Sequence, residues 1–353
     1  MKRKEGIGSY FHLESKPEKN LNLSKKLNLD YTVFYTGRHA LLHILNEISA
    51  SKKISKIWFP NYYCQHTLGW IKHTYKNIET YNTNPFEFSE NIEITTFATP
   101  NDVVLINNYW GLSTMPQYQT NRPIVIEDHS HGWLSNPCLN SKANYCFVSL
   151  RKSLPIPLGG IYWTPNPIVP KINNLFKADE NFYKTWDLMQ EAMALKTKFI
   201  NDCKATDNQT FLPKFYEVEE ALNHNYTFTK LLKNHGDFIE SFLNFDVKKI
   251  KQENLGLLYS KIKANPHFKI VKREGYTAFG LLLLFKNKTK YNALKTYLVD
   301  NNIYPSSLWP DNNIPYKWQH FLNIHVDFRY TTADMEHIAS TLNKWLAINF
   351  LED

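Results

Sequence analysis

Only four cysteines are spread through the 353 residues, at positions 64, 138, 146 and 203, with no Cys-x-x-Cys pair and no zinc-ligand spacing. That sparsity excludes a disulfide framework and points to reduced thiols. Long apolar runs are missing too. The longest, Phe279-Gly280-Leu281-Leu282-Leu283-Leu284-Phe285, suits a buried strand and is far too short to span a bilayer. Met1-Lys2-Arg3-Lys4-Glu5-Gly6 leads into no apolar segment of the kind that follows in a secretion signal, so a cytoplasmic protein is expected. Acidic residues are outnumbered, 33 Asp and Glu against 41 Lys and Arg, for a formal charge of +8. So modest an excess serves solubility and general anion attraction rather than specific nucleic-acid recognition, and a phosphate-bearing small substrate would exploit the same field. Internal repeats and low-complexity tracts are also lacking.

What is present suffices for real cores: 43% hydrophobic and 15% aromatic residues, with 21% charged, place the chain among globular proteins. Its length favours one large and one small domain. Residues 1 to 30 are polar and lysine-rich and read as a loosely held arm. Short apolar runs follow at 31–35, 56–60, 103–108, 123–128, 145–149 and 160–164. Between them lie helical connectors such as 40–48, where apolar residues recur with helical period. Continuous apolar strands separated by helices predict a mostly parallel sheet covered on both faces, over residues 31–235. A long helix is expected from Asp179 to about Asp202, with Phe182, Trp186, Met189, Met193 and Phe199 as its core stripe. After residue 236 the pattern becomes helix (247–263), strands (268–272 and 277–285), helix (290–301), strand (322–326) and helix (333–347). This predicts a small α+β domain over 236–353.

The candidate chemistry lies at the ends of these strands. Ile124-Val125-Ile126-Glu127-Asp128 is an apolar strand ending in an acid, and Phe147-Val148-Ser149-Leu150-Arg151-Lys152 delivers a lysine ahead of Gly159-Gly160. A pyridoxal phosphate (PLP) enzyme needs this pair: a lysine amine to condense with the cofactor aldehyde and a carboxylate to meet the ring nitrogen. Near the first strand, Thr36-Gly37-Arg38 opens a helix, whose free backbone N–H groups can bind an anion. Ligands on such sheets bind outside the carboxyl ends of the strands, where Gly37, Asp128 and Lys152 all fall. His129 and His131 alternate without further clustered ligands, so no metal centre is expected.

These pieces, in this order, resemble the DegT/StrS-type sugar aminotransferases across most of the chain. Thr36-Gly37-Arg38-His39-Ala40-Leu41 is similar to that family's helix start, and Phe59-Pro60-Asn61-Tyr62-Tyr63-Cys64 to its Pro-x-Tyr turn. Asn108-Tyr109-Trp110-Gly111 resembles the aromatic-Gly element, and Ile126-Glu127-Asp128 with His131 the Ile-Glu-Asp-x-x-Gln element. Lys152 with Gly159-Gly160 matches the lysine-to-glycine spacing, and Val326-Asp327-Phe328-Arg329-Tyr330-Thr331 with Asp334-Met335 the C-terminal signature. The resemblance implies the PLP-dependent transferase fold type I. It assigns Lys152 and Asp128 to catalysis, and to the cofactor phosphate the backbone amides of Gly37, Arg38 and His39, the Arg38 side chain and Ser149. His131 would contact the cofactor, and Tyr63 or Cys64 would lie against its ring. It further implies amino transfer from a donor, glutamate in the family, to a keto-sugar or sugar nucleotide in surface polysaccharide or related biosynthesis. A homodimer would build each phosphate pocket with a residue from the partner chain.

The departures from the family pattern bear on the phosphate. Phe147 stands five residues before the lysine, where the family carries a serine; Ser149 stands only three before it. The loop is therefore shortened, Pro155 and Pro157 replace small polar residues, and Arg151 could supply a lost phosphate contact. Two alternatives stay open: a PLP-dependent dehydratase or lyase, and a non-catalytic binding protein. The sugar dehydratases of this family replace the lysine with histidine, which Lys152 argues against.

Overall fold

The computed structural model describes residues 6–13, 23–27, 31–88, 92–114, 116, 118, 121–166, 176–202, 208–309, 312 and 314–349. Cys203, residues 204–207 of the expected polar break and most of the expected N-terminal arm lie outside them. In chain order the strands are β1 (Ile7–Gly8), β2 (Tyr31–Phe34), β3 (Ile57–Pro60), β4 (Ile78–Tyr81), β5 (Val103–Asn107), β6 (Ile124–Asp128), β7 (Tyr145–Ser149), β8 (Gly160–Trp163), β9 (Phe268–Val271), β10 (Leu281–Phe285), β11 (Ile303–Tyr304) and β12 (His320–Ile324). The helices are α1 (Leu23–Leu27), α2 (Gly37–Ser51), α3 (Gln65–Lys72), α4 (Asn136–Leu139), α5 (Glu180–Asn201), α6 (Leu212–His224), α7 (Lys233–Leu243), α8 (Lys248–Lys261), α9 (Lys288–Asp300) and α10 (Thr332–Asn349).

The chain divides into two compact units, one of residues 11–246 and one of residues 1–10 with 247–353. The division falls after Asp246 rather than after residue 235, because His235 and Gly236 sit inside α7.

In the larger unit seven strands form one sheet in the order β2-β8-β7-β6-β5-β3-β4. Strands β3 to β7 are parallel, and β8 runs antiparallel to both β7 and β2. Only β8 therefore opposes the rest, and the carboxyl ends of β2, β3, β5, β6 and β7 share one edge. The interior strand β5 is buried at all five positions, as expected of a strand covered on both faces. The expected mostly parallel, covered sheet is what forms. Strand β4 was not legible in the sequence: at this sheet edge Glu79 and Thr80 face solvent, and only Tyr81 is buried. Helix α5 follows expectation, with Asp179 capping its first turn through Asn181 N (3.0 Å) and Phe182 N (3.2 Å). Of its expected core stripe, Phe182, Trp186, Met189 and Met193 are buried.

In the smaller unit β12-β10-β9 form an antiparallel sheet, while β1 pairs in parallel with β11. The expected loose arm is thus held at Ile7, which is buried against Ile303, and Gly8 N donates to Tyr330 Oη at 2.8 Å. Arg329 lies behind this attachment. Its Nε and Nη2 donate to the two oxygens of Asp327 at 2.7 and 2.8 Å, and Nη1 donates to the carbonyls of Ser9 (3.3 Å) and Tyr10 (3.1 Å). Asp334 takes both the N–H and the hydroxyl of Thr331, at 2.8 and 2.9 Å. The C-terminal signature is therefore a structural clasp.

Burial would raise the Asp327 carboxyl pKa, but Arg329 overrides it and holds the group well below the usual carboxylate range. A carboxyl depressed in the folded state stabilises fully above its unfolded value, near pH 4, and loses that contribution as pH falls through the folded value. Arg329→Met should therefore cost about 3–5 kcal/mol at neutral pH by stranding a buried charge. Urea titrations at a series of pH values check this: the gap from wild type should narrow below about pH 4. A gap that stays constant into acid would show that the charge pair is not its origin.

Candidate active site

Five segments at the shared strand edge enclose a cavity of about 200 Å³. It is lined by Thr36, Gly37 and Arg38 after β2, Tyr63 and Cys64 after β3, and His66 and Thr67 from α3. Asp128 and Ser130 come from the end of β6, Phe147, Ser149, Arg151 and Lys152 from β7 and its following turn, and Glu219 and Asn223 from α6.

Close backbone approach shapes its anion-binding end. A Cβ on Gly160 would meet the carbonyl carbon of Thr36 at 2.4 Å, and one on Gly37 would meet Ser149 Cβ at 2.9 Å. Only glycine lets the entry of α2 pack this tightly on β7 and β8. Thr36 caps the helix by accepting from His39 N at 3.2 Å, and Ser149 N donates to Ser130 Oγ at 2.9 Å. The first N–H groups of α2 have no intrahelical acceptor and carry the positive end of the helix dipole.

At the other end, Asp128 is buried, with Oδ2 accepting from Tyr63 Oη at 2.6 Å and Oδ1 from Ser130 N at 2.8 Å. Burial, together with the Asp128 charge and the hydrogen bond to it, raises the Tyr63 phenol well above its ordinary value, so it acts as a fixed donor.

Lys152 sits in a single tight turn after β7, half-buried, with Nζ 3.2 Å from His131 Nε2. The His131 ring stacks on Trp110 at 5.0 Å, and Trp110, whose backbone adopts a left-handed φ of 57°, donates from Nε1 to Pro85 O at 2.8 Å. Burial first, then the Arg151 charge, lowers the Lys152 pKa against the opposing influence of Cys64, Asp128 and Glu219. An amine so placed is more readily neutral and nucleophilic than an exposed lysine.

Two cations flank it. Arg151 Nη2 donates to Glu219 Oε2 at 3.0 Å, while Nη1 donates to Oε1. Arg38 donates from Nη1 to Leu222 O at 2.9 Å; burial, then Arg151, lowers its pKa to about 10.

Of the residues expected from the sequence, Gly37, Arg38, Tyr63, Cys64, Asp128, Ser149 and Lys152 line this one cavity, and His131 touches Lys152. His39 does not join them. One helical step carries its side chain away, buried against Trp70, Phe182 and Phe228 with Nε2 bonded to Thr227 O at 3.1 Å. Phe147 fills wall space where a serine was wanted. Glu219 and Asn223 escaped the sequence reading, since α6 carries no motif and reaches the cavity from 68 residues beyond Arg151. Glu127, His129 and Cys146 place their ligand atoms within 4.8 Å of one another. They are tied internally, His129 Nε2 to Glu127 Oε2 at 2.9 Å and Cys146 Sγ to Ser141 Oγ at 3.1 Å, and none of them lines the cavity.

The residues fit PLP. The cavity offers an amine at Lys152, a buried carboxylate at Asp128, and, around the glycine-tight helix start, hydroxyls, N–H groups and guanidinium groups suited to a phosphate.

No protein-family model matches the chain. No curated protein matches it either. Solved structures do. The sugar aminotransferase CalS13 of Micromonospora echinospora is 13% identical, with 89% of this chain and 87% of that one covered, at a TM-score of 0.57. PseC of Helicobacter pylori, an aminotransferase involved in pseudoaminic acid biosynthesis, is 12% identical over 97% and 99% of the two chains, at 0.58. Spr1654 of Streptococcus pneumoniae, solved in a PLP form, is 12% identical over 96% and 92%, at 0.54. The chain has the fold of these aminotransferases, the PLP-dependent transferase fold type I expected from its sequence.

Proposed function

We propose that this protein is a PLP-dependent aminotransferase of the DegT/StrS type that moves an amino group, from glutamate, onto a keto-sugar, free or nucleotide-linked, in surface polysaccharide or related biosynthesis. The observation that carries the reading is the gathering of a desolvated Lys152 amine, the buried Asp128 carboxylate and an anion-binding helix start in one cavity. Similarity to the fold of a sugar aminotransferase and of a protein solved with PLP supports it.

When bound, PLP supplies an aldehyde to the lysine and a ring that stores the electron pair left on the substrate carbon. Asp128 would face the ring nitrogen and hold its proton in place. Thr36, Ser149 and the N–H groups of Gly37 and Arg38 would hold the phosphate. Lys152, released from the cofactor, would carry the proton between cofactor and substrate carbons as general base and acid. His131, 3.2 Å from its amine, positions Lys152 for that transfer.

A homodimer belongs to this reading, with a partner residue completing the phosphate pocket, as does a reducing, cytoplasmic setting, which the scattered free thiols support. Among the described residues no helix is long and apolar enough to cross a membrane.

Purified protein loaded with PLP and given glutamate in a single turnover should release 2-oxoglutarate and retain pyridoxamine phosphate. Protein that takes up no PLP would overturn the proposal. Glutamate consumption without amine transfer would favour a lyase. Light scattering on the same preparation should give the mass of two chains, and an active monomer would remove the dimer from the reading.

A further inference from the structure

We infer that Glu219 is the cavity's resident counter-anion: it holds Arg151 until an incoming phosphate group replaces it, so it competes with the cofactor phosphate for the same guanidinium. The inference rests on the PLP reading above and adds an element that the family pattern does not contain.

The geometry points this way for three reasons. First, both terminal nitrogens of Arg151 are spent on Glu219, one bond to each carboxylate oxygen. That occupies the two-pronged end of the guanidinium, so a phosphate can take that end only in place of Glu219. Second, Glu219 does not stand behind Arg151 as a buttress would. It lines the cavity itself, together with Thr36, Gly37, Arg38 and Ser149, on the side where a phosphate would enter. Third, it is ionised there: burial would raise its carboxyl pKa, but Arg151 and then Arg38 hold it below its ordinary value. The cavity's other carboxylate, Asp128, is already bonded to Tyr63 and to the Ser130 N–H.

Glu219 thus offsets part of the positive charge that Arg151 and Arg38 bring to this corner of the cavity. A phosphate dianion arriving at the start of α2 meets like charge until Arg151 changes partner. Helix α6, which carries Glu219, also accepts the Arg38 bond at Leu222 O, so both arginines are anchored to one helix. The pair is part-exposed, with side chains 26% and 31% accessible, which leaves Arg151 room to swing.

Equilibrium titrations test the competition, with PLP, with phosphate-free pyridoxal, and with inorganic phosphate followed by thermal shift. Glu219→Gln should tighten PLP binding by about tenfold more than pyridoxal binding, the scale of one charge-assisted bond, with pyridoxal reporting the accompanying change at Lys152. It should also enlarge the melting-temperature rise produced by phosphate. Arg151→Gln should weaken PLP by about tenfold. Glu219→Asp, whose carboxylate is drawn back by one methylene, should fall between wild type and Glu219→Gln, and serves if the glutamine variant folds poorly. Unchanged or weaker PLP and phosphate binding in folded Glu219 variants would overturn the inference and make Glu219 a support for Arg151. Wild-type protein that cannot be trapped on PLP by borohydride at Lys152 would instead overturn the functional reading, while the phosphate series would still decide the role of Glu219.

Discussion

Lys152→Ala should remove the visible absorbance that wild-type protein acquires with PLP and lower amino transfer by about 10⁴-fold or more, because one side chain supplies both the covalent attachment and the proton shuttle. The effect should be chemical rather than structural. Lys152 is half-buried in a short turn whose backbone bonds, Ser153 N to Leu150 O at 2.8 Å and Leu150 N to Gly159 O at 2.9 Å, do not involve its side chain. The variant should keep wild-type far-UV circular dichroism and still bind PLP reversibly through the phosphate end. The pH profile is a second signature. Burial and Arg151 lower the Lys152 pKa, so the neutral amine persists to lower pH than it would in an exposed lysine. Attachment of PLP should therefore proceed at neutral pH and fade only as acidification protonates the amine. Retention of the absorbance by Lys152→Ala would place the attachment elsewhere and end this assignment.

The two groups that matter most here were legible because Asp128 ends a buried strand and Lys152 lies in the turn three residues past another. An acid at the last position of an apolar strand, as Asp128 is in β6, needs a partner outside the sheet, and a lysine just past the carboxyl end of β7 falls where ligands of such sheets bind. The interior strands β5 to β8 were legible because burial on both faces leaves a nearly unbroken apolar signature. The exceptions have physical causes. Strand β4 lies at the sheet edge, where solvent removes that signature. His39 is expected at the phosphate through its backbone amide alone, and its side chain points away because successive helical residues diverge by about 100°. Only its backbone serves the end of the helix, through the Thr36 cap. Glu219 was invisible because a charged residue on an amphipathic helix looks the same whether it meets solvent or an arginine from a distant turn. The C-terminal motif, marked in the sequence only by its likeness to the family, has a structural role: Arg329 clasps Asp327 and the carbonyls of Ser9 and Tyr10 just after β1.

Asp128→Asn should lower amino transfer by about 10²–10³-fold while leaving PLP attached to Lys152, a split that separates electronic support of the ring from its anchoring. The substitution preserves shape. One amide oxygen can still accept from Ser130 N or Tyr63 Oη, which in the wild type bond the two carboxylate oxygens at 2.8 and 2.6 Å. What is lost is the negative charge, and with it the reason for a proton to stay on a ring nitrogen beside this buried group. Tyr63→Phe makes the companion variant. It removes a donor that shares the Asp128 charge, so it should strengthen rather than weaken the pull of Asp128 on that proton, with a smaller change in rate. Stopped-flow measurement of the glutamate half-reaction reads both variants. Asp128→Asn should slow proton removal and leave the affinity for PLP within about threefold of wild type, since the phosphate contacts are untouched. If Asp128→Asn instead transfers amino groups at the wild-type rate, Asp128 only ties the end of β6 to Tyr63, and the ring nitrogen must be served by another residue of the cavity.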